Sequence, residues 1–588
     1  MRVSGGRVAM SISGWDAIVI GSGLGGMSAA AHLAVTGHRT LLLERYDVIG
    51  GSSHVYRRRG HWEADCGVHY IGDCGPSGQL PTLFRGLGLD DRIQWLPLDE
   101  DGFDTVVGPD LRLRVPFGWD AYLENLLAAF PGEERGLRRA VAIMRRIGGA
   151  SDRSITPSSR AAMLRFARDC GAEAPWLATP YIAVLAGCGL KPRTILALSV
   201  QCGALASTPQ AVSTAAMAGF LQNYVGGGAY YPRGGGQMLA AGFADVVQSH
   251  GGAIRSRAEV DRILIEAGRV TGVRLTDGEE IRSPVVVSDA DIIRTLRDLV
   301  GYHHLPWSLA ERVKRWKMSW PLINAVYGVE FDVTDTPNSN FYAIPSWDDA
   351  GSLLQLHRTV SQLLFRADRR DPVEWATDFA RRQPAFVQCS TRRDPGHARS
   401  APPGHATIQA QTIAPSDLRL WGAAGADIAG GDYRRRGSYR EVKEIITSGL
   451  LQRIEQVYPG AAAKVVWSEL GTPATQERFT HASGGNAFGL ETRLSQVGPF
   501  RPGASTPVRG LFLAGTSTAW GPGTEGAMLS GLHAASAISG RDLQAEIRAG
   551  AVLADRARLT AWPAGFDPLA ASQGLGRQQP RPTPATQR

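Results

Sequence analysis

Three glycines and an acid carry the first recognisable chemistry in this chain. Gly21, Gly23 and Gly26 stand as G-x-G-x-x-G, with Ser22, Leu24 and Gly25 between them, and Glu44 follows 18 positions after the last of the three. Glycine at these points permits a tight strand-to-helix turn, lets a phosphate approach the backbone, and lets helix and strand pack closely. A helix beginning there presents unpaired N–H groups and the positive end of its dipole to an anion. A carboxylate at the end of the next strand accepts hydrogen bonds from ribose hydroxyls and repels a 2′-phosphate. The constellation reads as a site for FAD or NAD, not NADP. Glycine is frequent here, 70 of 588 residues, so the reading depends on the flanking elements.

Those elements are legible. Residues 17–20 are apolar and branched, as a buried parallel strand should be. Residues 27–35 are alanine-rich and helix-compatible, with Gly37 as the stop. Residues 40–43 form a second buried strand ending at Glu44 and Arg45. A second glycine turn follows at Gly50, Gly51, Ser52 and Ser53. Residues 55–59 and 61–64 flank Gly60 as a hairpin, and residues 65–72 read as a strand passing close to something flat. Far along the chain, residues 511–514 are another buried strand. They lead through Gly515 and Thr516 to a helix starting near Glu525 and carrying Gly526, Ala527 and Met528. Its N-terminus suits negative charge developing on a bound group.

Size and composition bound the rest. A chain of 588 residues exceeds one compact core, so two interleaved domains are expected. Net charge is +8 and the isoelectric point about 9.3, but the excess is arginine spread along the chain without an aromatic-interleaved stripe, which argues against nucleic acid. Six scattered cysteines form no C-x-x-C and no zinc spacing, so reduced thiols and a cytoplasmic setting are the default. No apolar secretory core precedes Ser13, and no run is long enough to span a membrane. Residues 1–14 read as a loose leader and 567–588 as a disordered tail. Residues 160–169 mix Met163, Leu164 and Phe166 with arginines, a pattern that leaves peripheral contact with an anionic membrane open.

Residues 176–225 read as buried helices, and residues 391–405 as an exposed polar loop. Trp307, Trp316, Trp320 and Trp347 suit either an apolar pocket wall or a plain core. Residues 230–238 (Y-Y-P-R-G-G-G-Q-M) restart the first domain, and Asp277-Gly278 makes a hairpin turn. The run Asp65-Cys66-Gly67-Val68-His69-Tyr70-Ile71-Gly72, the Tyr-Pro-x-Gly-Gly at 231–235, and Phe130-Pro131-Gly132-Glu133-Glu134 resemble the flavoprotein family of carotenoid desaturases, carotenoid isomerases and retinol saturases, most of all its retinol saturase branch.

The resemblance implies FAD, held by Gly21–Gly26, Glu44, Arg45, Gly50–Ser53, the backbone of the strand carrying Val260, and Gly515, Thr516 and Glu525–Met528. That family usually carries an acid where Thr516 stands, so one charge is missing here. The resemblance also makes His69 and Tyr70 flavin-facing or proton-handling candidates. It implies an α/β fold in which a Rossmann-like FAD domain (15–87, 229–299, 501–545) is interleaved with an α+β substrate cap (88–228, 300–500).

Residue patterns remove several chemistries. There is one dinucleotide fingerprint, so no second Rossmann domain for NAD(P)H; the glycines at 226–236 lack a preceding strand. Ser52 replaces the arginine that amine oxidases of similar fold carry after the paired glycines. No G-x-S-x-G or H-E-x-x-H motif is present. What remains is flavin chemistry on an apolar substrate, and the resemblance implies that it acts on C=C or CH–CH bonds of a polyene or isoprenoid, with its electron partner unassigned. Isomerisation of a polyene by reduced FAD, and flavin binding without catalysis, stay as alternatives.

Overall fold

The computed structural model describes residues 14–153, 160–348, 350 and 371–576. The expected leader up to residue 13 and the tail from 577 lie outside the described residues. Strand β1 (Ala17–Ile20), helix α1 (Leu24–Val35) and strand β2 (Thr40–Leu43) form where the apolar run, the glycine turn and the alanine-rich run predict them. Both strands are buried along their whole length, as a parallel sheet covered on both faces requires. Further along come α2 (Gln237–Ser249), β3 (Ala253–Arg255), β4 (Val286–Ser288), β5 (Leu511–Leu513) and α3 (Gly523–Ser539).

The five strands pair in parallel in the order β3-β2-β1-β4-β5. Ile18 stands opposite Leu41 on one side and Val286 on the other. The strand order reverses at β1, and open parallel sheets bind ligands at the carboxyl ends of strands where such a reversal opens a crevice. Helices α1 and α3 lie against each other there. Ser28 Oγ donates to the Met528 carbonyl at 2.7 Å, and a side chain on Gly531 would meet Ala29 N at 2.6 Å, so a glycine sets the helix separation.

A second, seven-stranded sheet is assembled from strands scattered between residues 104 and 471. Its neighbours are antiparallel except Asn340–Ala343 beside Asp104–Gly108. The long helix Gly437–Val457 turns Tyr439, Val442, Ile446 and Leu450 inward, one apolar stripe at helical spacing. A parallel α/β unit interleaved with an α+β unit is therefore the architecture.

Several sequence expectations need correction. Beyond Asp65 the chain is not extended until Ile71–Gly72. Its small residues reflect a close approach instead: a methyl on Gly67 would lie 2.9 Å from the Ser52 carbonyl. Residues 391–405 are not simply an exposed loop, because Arg393, Asp394 and Ser400 are buried. Hydrogen bonds make that burial tolerable: Arg393 donates to Gln388 and Asn340, and Asp394 accepts from Gly234 N. The tail is ordered as far as residue 576. Pro568–Ala571 is a helical turn, Ser572 O accepts from Ile49 N at 3.1 Å, and Asp567 forms a two-pronged pair with Arg57 at 2.7 Å. A strand, Ala229–Pro232, does run into the glycines near 234, but it pairs antiparallel in a separate small sheet, so these glycines do not form a Rossmann turn. Of the four tryptophans, Trp320 lines the large cavity, while Trp307 is 78% exposed.

Candidate active site

At the carboxyl end of β1 the backbone turns at Gly21, with φ +91°, the left-handed region that favours glycine. Ser22 N and Ser22 Oγ donate to Glu44 Oε2 at 3.0 and 2.6 Å, and Tyr46 N donates to Glu44 Oε1 at 2.7 Å. The predicted acid is thus in position, buried, and already holding the turn together, with acceptor capacity remaining on Oε1. Gly50 N donates to the Ser22 carbonyl at 3.0 Å, and a methyl on Gly51 would lie 2.9 Å from Gly23 Cα. The two glycine turns are therefore one structure, with Ser53 Oγ closing the second turn onto Gly50 O at 2.7 Å.

The distant anchor arrives as expected. A methyl on Gly25 would lie 2.6 Å from Gly515 N, so the turn after β5 is pressed against the first turn of α1. Gly515 itself has φ +91°. Leu24, Ala527 and Met528 are buried, and the Met528 side chain packs in the core between α1 and α3. Val260 starts a strand at 260–266, close after Ala258, whose N–H donates to Glu44 O at 2.8 Å. The Arg45 guanidinium is engaged elsewhere: Nη1 donates to Phe479 O at 2.7 Å.

A cavity of about 1020 Å³ opens beyond this turn, with predominantly apolar walls. Ser52 and Gly67 border it on one side, and Glu525 and Gly526, in the first turn of α3, on another. The N-cap residues of α1 and α3, Gly23 and Pro522, supply no side-chain cap. Two helix starts without a cap from their own N-cap residues, a carboxylate acceptor at Glu44 and glycine backbone fit a dinucleotide bearing a flavin.

Farther along the cavity wall stand His69, Tyr70, Tyr224 and Tyr342. Tyr70 Oη and Tyr342 Oη are 3.2 Å apart, and Phe386 stacks on Tyr70 with centroids 5.7 Å apart. Burial pushes both phenols well above their usual range, so they stay protonated. His69 is clamped at both nitrogens: Nε2 lies 2.6 Å from Gln411 Nε2, and Nδ1 lies 3.2 Å from Gln388 Nε2. Burial first, then the Arg393 charge, pulls its pKa down to about 3. Gln388 accepts from Arg393 Nη1 at 2.5 Å, Arg393 donates to Asn340, and Asn340 Nδ2 donates to Asp104 Oδ1 at 2.8 Å. Burial raises Asp104 to about 6.

Sequence reasoning did not single out Tyr342, Gln388, Gln411 or Arg393. One signal was available: Thr407, Gln409 and Gln411 alternate along the buried strand Ala406–Ile413, and polar residues on one face of a buried strand must meet partners.

The fold and the glycine-built cleft define a dinucleotide-binding flavoprotein. The sequence pattern of the flavin containing amine oxidoreductase family matches residues 24–297 and 439–539, more than half of the chain, and the chain belongs to that family. It is an FAD-dependent oxidoreductase. It is similar to the all-trans-retinol 13,14-reductase of Danio rerio, 24% identical over 90% of this chain and 87% of that protein. It is also similar to prolycopene isomerase 1 of an Oncidium hybrid cultivar, 26% identical over 93% of this chain and 87% of the other. Among solved structures it resembles cyclohexylamine oxidase from Brevibacterium oxydans, with TM-score 0.56 and 17% identity over 90% of this chain and 99% of that one, a likeness of fold. The family match omits residues 298–438, where most strands of the seven-stranded sheet arise.

Proposed function

We propose that the chain saturates or desaturates a carbon–carbon bond of an apolar polyene or other isoprenoid. The observation that carries this reading is the large, mostly apolar cavity that reaches from the first turn of α3 to the Tyr70–Tyr342 pair. The names of the reductase and isomerase relatives support it. In this reading residues 15–87, 229–299 and 501–545 hold the cofactor, and 88–228 and 300–500 cover the substrate. When bound, FAD supplies hydride chemistry at the substrate carbon.

The protein's own residues do the rest. Backbone N–H groups at the start of α1 would hold the pyrophosphate, and the remaining acceptor capacity of Glu44 would hold the ribose. The strand carrying Val260 would hold the adenine end, and the N-terminus of α3, with the Thr516 hydroxyl in place of an acid, would hold the flavin end. Apolar walls exclude water. The Tyr70–Tyr342 pair holds the proton that a saturated product requires, as neutral phenols kept protonated by burial. His69 does not hold it. Its two nitrogens are engaged by amides and its pKa lies near 3, so the ring orients Gln388 and Gln411 instead. Exposed Met163 and Leu164 lie on the helix Arg160–Cys170, and Met163 borders the cavity. With exposed Arg165 and Arg168 beside them, they favour peripheral contact with an anionic membrane as the route for an apolar substrate.

The isomerase relatives favour a second reading, rearrangement of a polyene without net redox change. Mass spectrometry of lipid extracts from cells with and without this gene separates the two. A lipid pair differing by two hydrogens supports the proposal. Accumulation of an isomer at constant mass replaces it with the second reading, and indistinguishable extracts contradict both.

A further inference from the structure

A carboxyl group in the cofactor cleft lies against the glycine turns after β1 and after β5. Asp289 follows β4, and its N–H donates to Ile20 O at 2.8 Å, which ties it to the end of β1. Its carboxyl accepts a hydrogen bond from Gly26 N in the first turn of α1. A methyl on Gly25 would lie 2.5 Å from Asp289 Oδ1, and methyls on Gly23 and Gly515 would overlap the same carboxyl. Three glycines on two separate loops thus leave room for the two oxygens of one side chain. At Gly23 the missing side chain admits Asp289, a job the fingerprint alone assigns to the pyrophosphate.

The placement has an electrostatic consequence. Asp289 occupies the positive end of α1, where a dinucleotide's pyrophosphate also belongs. Two anions there repel each other, and a protonated carboxyl removes the repulsion while keeping its hydrogen bonds. We propose that Asp289 is the linker between the α1 turn and the turn after β5, and that it enters the FAD complex protonated, so that cofactor binding takes up a proton from solvent.

The surroundings agree with this. Burial first, opposed by the Gly26 hydrogen bond, and then the neighbouring Glu44 charge, raise Asp289 to about 7 even without the cofactor. No ionisable side chain lies between Gly21 and Met27 or at Gly515 and Thr516 to compensate it. On its own loop, Asp291 is engaged by Ser483 and Asn486, and Arg294 pairs with Glu477 at 3.1 Å. The sign follows. A pyrophosphate nearby raises the Asp289 pKa further in the complex, so affinity is greatest when Asp289 is already protonated. It falls as pH rises through the cofactor-free value.

The test is fluorescence titration of the cofactor-stripped protein with FAD, whose pyrophosphate stays fully ionised across the range. The wild-type Kd should rise at least about tenfold between about pH 6 and about pH 9, while Asp289→Asn should change less than about twofold and bind at the higher pH as tightly as wild type does at the lower. Circular dichroism of both apoproteins checks folding, and the wild-type slope stands without the variant. A flat wild-type profile overturns the proposal. So does an equal slope in Asp289→Asn, which would place the titrating group elsewhere.

Discussion

The glycine turns and the tyrosine wall of the cavity are built on opposite plans. At the glycine end the contacts are made by backbone: Gly50 N to Ser22 O, Ser22 N to Glu44, Gly515 against Gly25. At the tyrosine end they are made by side chains from distant strands: Tyr70, Tyr342, Gln388 and Gln411, with Arg393 behind them. A backbone site demands glycine at fixed spacing and tolerates little else. A side-chain site can be assembled from any segments that the sheet brings together. The first plan suits a cofactor of constant shape, and the second lets distant strands set the shape of the opposite wall.

The largest effect should come from closing the gap between the two cofactor loops. In Gly25→Ala the new methyl would lie 2.6 Å from Gly515 N and 2.8 Å from Gly515 Cα, both backbone atoms that cannot step aside. The change should cost about 1–3 kcal/mol of stability and yield protein without flavin colour, read by thermal melting and by the flavin-to-protein absorbance ratio. A yellow, fully stable variant would mean that the loops are less tightly joined than their geometry indicates.

The tyrosine end should break differently. Replacing Tyr70 and Tyr342 together by Phe should leave the flavin content unchanged and slow single-turnover reduction of a polyene by about 10²–10⁴-fold. An unchanged rate would move the proton donor away from this pair. Glu44→Gln should have a smaller effect on the cofactor end. The amide removes the charge that gathers three donors, and FAD should bind about tenfold more weakly, a loss of about 1–2 kcal/mol.

The smallest effect concerns His69. Its pKa near 3 keeps the ring neutral at working pH, so the pH–rate profile should show no imidazole break near 6.5. Its contribution to stability has a definite sign. The unfolded ring gains a proton below about pH 6.5 and the folded one does not, so wild type should lose stability on acidification over that window more steeply than His69→Gln.

The same contrast explains what could be read from the sequence. The parallel sheet, α1, α3 and the glycine turns were legible because each depends on a short run whose period or spacing is dictated by backbone geometry. Glu44 was found because strand length fixes its distance from the glycines. Tyr342, Gln388 and Gln411 sit on three strands more than 60 residues apart end to end, and nothing local marks them as neighbours. Arg393 was misjudged because arginine beside proline and glycine usually signals solvent. Here two amide oxygens make its burial affordable. Asp289 stood in view as the residue after a buried strand, yet its role depends on Gly515, more than 200 positions away.

The central claim, redox chemistry on an apolar carbon–carbon bond, is tested most directly by an anaerobic single turnover of the photoreduced holoenzyme with a polyene. For saturation, flavin colour returns as the polyene is consumed, one for one, and the product is two hydrogens heavier; for desaturation, the oxidised holoenzyme bleaches as the more saturated compound becomes two hydrogens lighter. Flavin that stays reduced with the polyene and stays oxidised with the more saturated compound, or a polyene that changes shape at constant mass, would contradict it.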